Sequence, residues 1–499
     1  MEILNNLILG FGVAFTTTNL IYCFLGVLLG TLVGVLPGIG TLAAISILLP
    51  FTYGVDNAIS AIIFLSGLYY GTQYGGSTTS ILLKLPGEPS SVVTVLDGYK
   101  MTENGRSGAA LSIAAIGSFI AGTFATLLIA LSAEPLSKVA FLFGPTEYTM
   151  LMTLGLVAAV SLTSESFLKG FGIVVIGILL GIIGQDINSG VERFTFNIPN
   201  LYDGISFGIV AMGVFGLAEI IYNALHDKIQ KHKIPKIKEL YPSREELKRS
   251  VGPISRGSLL GSFLGILPGT GAVLSAFLSY FVEKKISKNP EKFGKGAIEG
   301  VAAPESANNA AAQTSFIPML SFGIPTTPVM ALMIAALMIH NIQPSPQVIG
   351  NNPELFWGLI ASMWIGNFLL VVLNLPLVGI WIKFLTIPKK ILYPSIMIIC
   401  IYGAYSINND WFLVFLLIPF TILGYIFKLL SLEPAPLALG FVIGNQFEEY
   451  LRRTLMISRG DWGIFLDKPI SLSLLVICIL FIILPIIYRL KNKILANRV

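Results

Sequence analysis

The sequence predicts an all-α protein that crosses a membrane many times, and its composition and apolar runs carry that prediction. Of its 499 residues, 54% are hydrophobic and 12% are charged, whereas a soluble domain has about 25% charged residues. The mean hydropathy is +0.79. Residues 470–488 and eight similar runs are apolar and long enough to enter or span a bilayer. We expect about 10 to 13 membrane segments, because no soluble core hides so many long apolar runs.

A repeated motif predicts that the chain has two related halves. Residues 26–40, GVLLGTLVGVLPGIG, recur 231 residues later as residues 257–271, GSLLGSFLGILPGTG, with nine of fifteen aligned positions identical. In each copy a helix-like apolar run ends in Leu-Pro-Gly-x-Gly. A helix cannot continue through that sequence, because proline lacks a backbone donor and clashes with the preceding turn. Interrupted apolar segments at matching places in two halves are a strong sequence indication of a transporter's binding site.

A basic segment separates the two halves, which we place at residues 1–226 and 257–499. Residues 227–256 hold nine lysines and arginines. Nucleic-acid binding could explain a basic loop, but between apolar runs the positive-inside rule is the simpler account. We therefore expect this segment and the basic C-terminal tail to lie in the cytoplasm. No signal-peptide pattern precedes the first apolar run, so we expect that run to remain in the protein.

The charges beside the two motifs predict that the halves have opposite orientations. No lysine or arginine precedes Lys84, whereas the second motif lies between Arg256 and a lysine cluster at 284–295. A segment with the same charge character at both ends can enter and leave the membrane by one face. Two re-entrant hairpins entering from opposite faces would form an inverted repeat. Two spanning helices kinked at proline are the alternative.

The broken motifs are candidates for carboxylate binding. Glycine allows close backbone approach, and the helix after each break begins with free N–H groups at a positive dipole end. The backbone donors predicted for a substrate carboxylate belong to Gly38, Gly40, Gly269, Thr270 and Gly271. A packing kink is the alternative role for both motifs.

Two further stretches, residues 71–89 and 304–328, are rich in small and polar residues and are predicted to be additional breaks. The register between them is ambiguous in the sequence. Hydroxyl and amide groups can bind a carboxylate or donate oxygens to a cation, and an acid in an uncharged stretch is a functional candidate. The predicted substrate ligands here are Ser77, Thr78, Ser306, Asn308 and Asn309. The predicted coupling-ion ligands are Gly75, Gly76, Glu305, Thr326 and Thr327. Helix packing through small residues is the alternative role.

The absence of certain sequence motifs argues against several functions. The chain has no G-x-x-x-x-G-K-[ST] loop and no H-E-x-x-H, and it has only three histidines. Cys23, Cys400 and Cys478 all lie inside apolar runs at no metal-like spacing. We therefore expect no enzyme, no bound metal and no cofactor, and an ion gradient as the energy source.

Several stretches together resemble a known family. GVLPGIG, GILPGTGAVLSAFLSYFVEKK, FGKGAIEGVAAPESANNAAAQTSFIPMLSFGIP and ALMIHNIQPSPQ are similar to the large membrane subunit, TctA, of the tripartite tricarboxylate transporters. The likeness covers nearly the whole chain, and the run around PESANNAA is its most specific part. Thr326 and Ser345 replace residues that the family pattern leads us to expect. These two differences leave the substrate open.

The resemblance implies a multi-pass permease of the bacterial inner membrane that imports tri- or dicarboxylates such as citrate, driven by Na⁺ or H⁺. It also implies two partners, a small TctB-like membrane subunit and an extracytoplasmic TctC-like solute-binding protein. Two other functions stay open from the residues alone. One is a passive channel for carboxylates or ions, with selectivity loops formed by the broken segments. The other is a membrane-embedded enzyme, against which the poor acid–base inventory argues.

Overall fold

The computed structural model describes residues 2–36, 39–55, 57–140, 142–161, 167–186, 189–226, 241–267, 271–345, 347–384 and 387–496. The described residues are mostly helical. They contain one small antiparallel sheet, in which Gly184 pairs with Arg193 and Gln185 with Glu192. Six described helices are long and apolar enough to cross a membrane, and five shorter apolar helices accompany them. The predicted class, an all-α polytopic membrane protein, is confirmed. The number of crossings stays a prediction.

The helices follow one another in this order: α1 Glu2–Ala14, α2 Thr17–Val35, α3 Thr41–Leu48, α4 Ala58–Leu83, α5 Val92–Glu103, α6 Ser107–Ala140, α7 Pro145–Ser161, α8 Phe167–Gly181, α9 Phe207–Ala211, α10 Ala218–His226, α11 Arg244–Ile266, α12 Gly271–Ile286, α13 Glu299–Thr314, α14 Phe316–Phe322, α15 Pro328–Ile339, α16 Val348–Asn351, α17 Pro353–Asn374, α18 Val378–Phe384, α19 Lys389–Asn408, α20 Trp411–Leu429, α21 Ala435–Ile457, α22 Ile464–Asp467 and α23 Pro469–Ala496. A π-helical stretch, Met212–Leu217, joins α9 to α10 in one continuous helix.

In the first half, the repeated motif packs α2 tightly against α4. Its glycines at 26, 30 and 34 recur every four residues and therefore form one stripe on α2. A Cβ atom added to Gly30 would lie 2.3 Å from the carbonyl oxygen of Leu68. Gly71 and Gly75 of α4 face the stripe with the same lack of space. These glycines therefore allow the two backbones to touch.

In the second half, the same motif packs α11 against α13. Glycines 257, 261 and 265 stand 231 residues after those of α2. A Cβ added to Gly261 would lie 2.2 Å from the carbonyl oxygen of Ala307, and one added to Gly265 would lie 2.5 Å from that of Ala311. The two copies of the motif thus form equivalent helix pairs.

The structure resolves the register that the sequence left ambiguous. Gly30 meets Leu68 and its counterpart Gly261 meets Ala307, which offsets the partner helices by 307 − 68 = 239 residues. With that offset, KLPGEP at residues 84–89 aligns with GIPTTP at residues 323–328. Lys84 and Gly323 both end a helix in the left-handed region, at φ 61° and 66°. Glu88 and Thr327 follow at nearly equal backbone angles, φ −142° and −140°.

The two equivalent helices cross in opposite directions. Ser77, late in α4, contacts Glu305, early in α13. Phe316, just after α13, contacts the earlier Tyr69 and Tyr70 of α4. Phe316 and Ser77 are equivalent under the 239-residue offset. Each therefore contacts the earlier part of the other helix, and exchanging α4 with α13 superimposes one contact region on the other. A local two-fold relation of this kind is the geometry of an inverted repeat.

The predicted breaks at residues 71–89 and 304–328 begin later than expected. GGSTT, residues 75–79, lies inside α4, and PESANN, residues 304–309, lies inside α13. Their small residues serve close helix packing, and α13 continues through Pro304 at the loss of one backbone hydrogen bond. The chain actually turns at Lys84 and at Gly323.

The halves also differ in length at one place. The offset is 231 residues up to the Leu-Pro-Gly motifs and 239 residues after the next helix, a difference of eight. The extra length lies mainly after the helix: the helical stretch Thr41–Gly54 is followed by three residues before α4, whereas α12 is followed by twelve residues before α13. Arg256 of α11 pairs with Glu283 of α12 at 2.5 Å, and this ion pair joins the two arms of a helical hairpin near its open end.

Candidate functional site

The first broken motif lies beside the middle of α4. Helix α2 ends before Leu36, and α3 begins at Thr41 with Gly40 as its N-terminal cap. The Thr41 hydroxyl donates to Thr72 Oγ1 at 2.8 Å, which fixes the start of α3 against α4. A Cβ added to Gly40 would meet no atom within 4 Å, so there is open space beside this cap. Gly38, predicted to bind substrate, is outside the described residues.

The second broken motif lies beside the end of α13. Helix α12 begins at Gly271, whose φ of +50° favours glycine. A Cβ on Gly271 would lie 3.1 Å from the side chain of Thr327, which caps α15. Of the two described motif ends, the first thus contacts the middle of α4 and the second approaches the turn before α15, each within its own half. Gly269 and Thr270, also predicted to bind substrate, fall in the part of the chain that is not described.

Glu305 is the buried acid where α4, α5 and α13 meet. It is 1% exposed. Ser77 of α4 donates to its Oε2 at 2.5 Å, and Thr94 of α5 donates to its Oε1. No lysine, arginine or histidine contacts this carboxylate among the residues that the structure describes. The structure thus joins two residues that the sequence predicted, Ser77 and Glu305, and adds Thr94.

Glu88 is a second buried acid in the same region, which sequence reasoning missed. It is 6% exposed, and its Oε1 has no hydrogen-bonding partner. A Cβ on Gly76 would lie 3.1 Å from its side chain, so Glu88 covers the α4 residue next to Ser77. Glu88 could have been recognised from the alignment of KLPGEP with GIPTTP in the two halves. That alignment is not evident in the sequence, because the register between the halves is ambiguous there.

Asn308 is a buried residue of this region whose whole side-chain amide is unpaired. It is 1% exposed, and neither its amide nitrogen nor its amide oxygen has a partner. It lies three residues after Glu305, and residues spaced in this way share a face of a helix. Thr326, 1% exposed, also has an unpaired hydroxyl. Buried polar groups are nearly always paired, so unpaired ones need an explanation, such as a ligand.

Other predicted ligands are already engaged within the protein. Ser306 donates to the carbonyl of Ala302 at 2.8 Å and packs against Gly117 and Gly257. Asn309 donates to Ser118 Oγ of α6 at 2.6 Å. Thr78 is 3.4 Å from the carbonyl oxygen of Tyr74. Gly75 packs on α2 and Thr327 caps α15. Their roles in binding stay predictions.

Asp97 is a further buried acid without a sequence signal. It is 0% exposed and lies on α5, three residues after Thr94. Its carboxylate accepts hydrogen bonds from the backbone N–H groups of Gly294 (2.9 Å), Gly296 (2.8 Å) and Ala297 (2.8 Å). The Tyr280 hydroxyl donates to it at 2.9 Å. Its partners lie up to 200 residues away and are mostly backbone groups, which no side-chain pattern reveals.

A cavity of about 830 Å³ lies elsewhere, at the end of α15 and beside the small sheet. Its lining includes Asp203 and Gly204, just before α9, and Asn341 and Gln343, just after α15. The continuous helix from Phe207 to His226 has 20 residues, about 30 Å long. The cavity, which lies beside the start of this helix, is therefore about one bilayer thickness from the helix end at His226.

The fold and these features define a polytopic helical membrane protein with an internal repeat and broken helices around buried acids, the architecture of secondary transporters. The chain matches the tripartite tricarboxylate transporter TctA family over residues 20–439. It belongs to that family, and its class is that of a transporter permease.

Individual proteins are also similar to this chain. An uncharacterised 52.8 kDa protein in the TAR-I ttuC' 3' region of Agrobacterium vitis is 53% identical over 500 residues, covering 100% of this chain and 99% of the relative. A protein in the TAR-II ttuC' 3' region of the same organism is 56% identical over 240 residues, 48% of this chain and 99% of the relative. A Methanocaldococcus jannaschii protein is 27% identical over 278 residues, 54% of this chain and 64% of its own. No solved structure matches the chain.

Proposed function

We propose that the protein is the permease of a cation-coupled importer of a tri- or dicarboxylate. The observation that carries the proposal is Asn308, an amide buried at 1% exposure with both polar atoms unpaired, one turn from a buried acid. An amide can donate to a carboxylate, and the hydroxyl of Thr326 can do the same. The helix starts at Gly40 and Gly271 would add backbone donors from the two broken motifs.

The two buried glutamates explain why a cation would accompany the substrate. Ionised Glu88 and Glu305 would repel an anion brought into the same low-dielectric region. A proton or Na⁺ bound at these carboxylates would remove that repulsion, so substrate and cation would bind together. Ser77 Oγ is 3.0 Å from the Gln73 carbonyl as well as 2.5 Å from Glu305. It can therefore accept from a protonated Glu305, or serve with Thr94 as an oxygen ligand of Na⁺.

The membrane arrangement is part of the proposal. In α11 only residues 257–266 are apolar, a length of about 15 Å, roughly half of the hydrocarbon core. We therefore interpret α11 and α12 as a re-entrant hairpin entering from the basic side, which we assign to the cytoplasm of a bacterium. A TctB-like membrane subunit and a TctC-like solute-binding protein would complete the transporter. Substrate would arrive on the face opposite the basic segment.

The decisive experiment is uptake of labelled citrate and smaller dicarboxylates into proteoliposomes that hold the permease, its membrane subunit and its solute-binding protein. We expect accumulation against a concentration gradient when an inward Na⁺ or H⁺ gradient is imposed. Each gradient is tested alone, which separates the two coupling ions. Equilibration without accumulation would instead support the passive channel, and chemical conversion of the carboxylate would support an enzyme.

Replacing Asn308 by alanine tests the proposed substrate site. We expect uptake at limiting substrate to fall at least about tenfold, because one amide–carboxylate hydrogen bond in a buried site contributes about 1.5–3 kcal/mol. Asn374→Ala is a matched control, since Asn374 of α17 is also buried and its Oδ1 is also unpaired. Normal uptake by Asn308→Ala, with both variants equally well folded, would remove Asn308 from the site.

A further inference from the structure

We propose that Asp97 and residues 294–297 form a closed gate on the basic side of the permease. This proposal rests on the transport function proposed above and adds a conformational role for residues outside the binding site. In the state described here, the gate closes the basic side, and the cavity on the opposite face is the open side. Its parts are α5, the segment before α13, and Tyr280 of α12.

The strength of the contact follows from its chemistry. A carboxylate that accepts from three backbone N–H groups and a phenol forms charge-assisted bonds, which are roughly twice as strong as neutral ones. Gly294 and Gly296 have φ of +81° and +104°, a conformation that turns successive N–H groups toward Asp97. Addition of a Cβ to Gly300 would place it 2.3 Å from Asp97 Oδ2. The segment and the acid thus fit each other closely.

The contact is well placed to connect the site with the basic face. Thr94 and Asp97 lie three residues apart on α5. Thr94 holds Glu305, and Asp97 holds the segment that leads into the same helix, α13. Arg106, just after α5, pairs with Glu246 at the start of α11, which follows the basic segment. A displacement of α13 away from α5 would therefore break both contacts and open the basic side.

Among the described residues, the other half has no equivalent contact. Under the 239-residue offset, α15 is the counterpart of α5, and Ala336 stands where Asp97 would be. Alanine offers no acceptor for backbone donors. The far end of α15 instead borders the cavity of about 830 Å³. Equivalent positions in the two halves are thus closed at one face and open at the other, which is the expected asymmetry of one state in an alternating-access cycle.

Labelling of an introduced cysteine tests the gate without any substrate. Met101 of α5 is 3% exposed, its backbone nitrogen would lie 3.4 Å from a Cβ on Gly296, and its side chain belongs to a buried apolar cluster with Ile298, the residue after the gate segment. In a chain whose own cysteines are replaced, Met101→Cys is treated with a membrane-impermeant thiol reagent from the basic side. We expect slow labelling, and about tenfold faster labelling when Asp97→Asn is added, because the charge-assisted bonds are lost.

Asp461→Asn is the matched control. Asp461 accepts a backbone N–H from Gly463 at 2.8 Å but is exposed and distant from α5, so this variant should leave the labelling rate unchanged. An Asp97→Asn protein that is folded, as judged by gel filtration, and labels no faster than the parent would overturn the gate. Because labelling needs no transport, this outcome differs from failure of the proposed function, which would appear as absent uptake in the unmodified protein.

A disulfide lock gives a second test that keeps Asp97 unchanged. Asn104, just after α5, donates to the carbonyl of Lys295 at 3.4 Å, so the pair Asn104→Cys and Lys295→Cys would tie α5 to the gate segment. We expect oxidation to reduce uptake at least tenfold and a reducing agent to restore it. Normal uptake by protein whose cross-link is complete would contradict the proposal.

Discussion

Glu305→Gln is expected to lower uptake by about 100-fold or more and to abolish its dependence on the coupling cation. The glutamate accepts hydrogen bonds from Ser77 and Thr94 in a region that excludes water. Glutamine keeps the shape but carries neither a charge nor an exchangeable acidic proton. Loss of two charge-assisted hydrogen bonds, at about 1.5–3 kcal/mol each, accounts for this magnitude. The measurement is initial uptake in proteoliposomes over a series of Na⁺ concentrations and of external pH.

Glu147→Gln is the control for this change. Glu147 is also buried, at 4% exposure, and accepts a backbone N–H from Gly144 at 2.9 Å, but it lies on α7, away from the crossing of α4 and α13. It should retain the normal cation dependence, even if its stability falls. A Glu305→Gln protein that transports with an unchanged response to Na⁺ and pH would show that this acid does not bind the coupling ion.

Gly261→Ala is expected to destabilise the protein by about 3 kcal/mol, which is the upper part of the range for overpacking. The added methyl group would lie 2.2 Å from the Ala307 carbonyl oxygen and 2.7 Å from its Cα. Both obstacles are backbone atoms, so no side chain can rotate away, and α11 must separate from α13. Gly30→Ala in the first half should behave similarly, since its Cβ would meet the Leu68 carbonyl at 2.3 Å.

Thermal unfolding in detergent measures this effect against Gly172→Ala. Gly172 is also a helical glycine, in α8, but a Cβ there meets no atom within 4 Å. Alanine at such a position should be neutral or stabilising by about 0.4–1 kcal/mol, because it restricts the unfolded chain. Equal thermal stabilities of Gly261→Ala and Gly172→Ala would mean that the helices are not in backbone contact.

The sequence was sufficient to predict the all-α membrane class and the duplicated motif, because hydropathy and near-identity are local signals. The packing role of the glycines at 26, 30 and 34 was not predicted. Their four-residue spacing indicates helix packing, a role separate from that of the Leu-Pro-Gly end of the motif. The breaks were placed too early for a related reason, since small residues inside α4 and α13 permit contact and do not interrupt those helices.

The candidate site was less predictable, because its members come from separate helices. Ser77, Asn308 and Glu305 were found as unusual polar residues in apolar surroundings. Thr94 was not, since one threonine in a helix has no distinguishing neighbours. Asp97 could not have been found, because its partners are backbone groups in a distant segment. Only the tertiary structure shows which polar residues lack partners and which are engaged elsewhere.

The eight additional residues between the second broken motif and α13 have an energetic consequence. A transporter assembled from two identical inverted copies would have two end states of equal free energy, since exchanging the copies converts one state into the other. Any difference between the copies removes that degeneracy. A bias of 1.4 kcal/mol already populates two states in a ratio of about ten to one. In the alternating-access cycle that we propose, these departures from symmetry would therefore set which way the empty permease faces at rest.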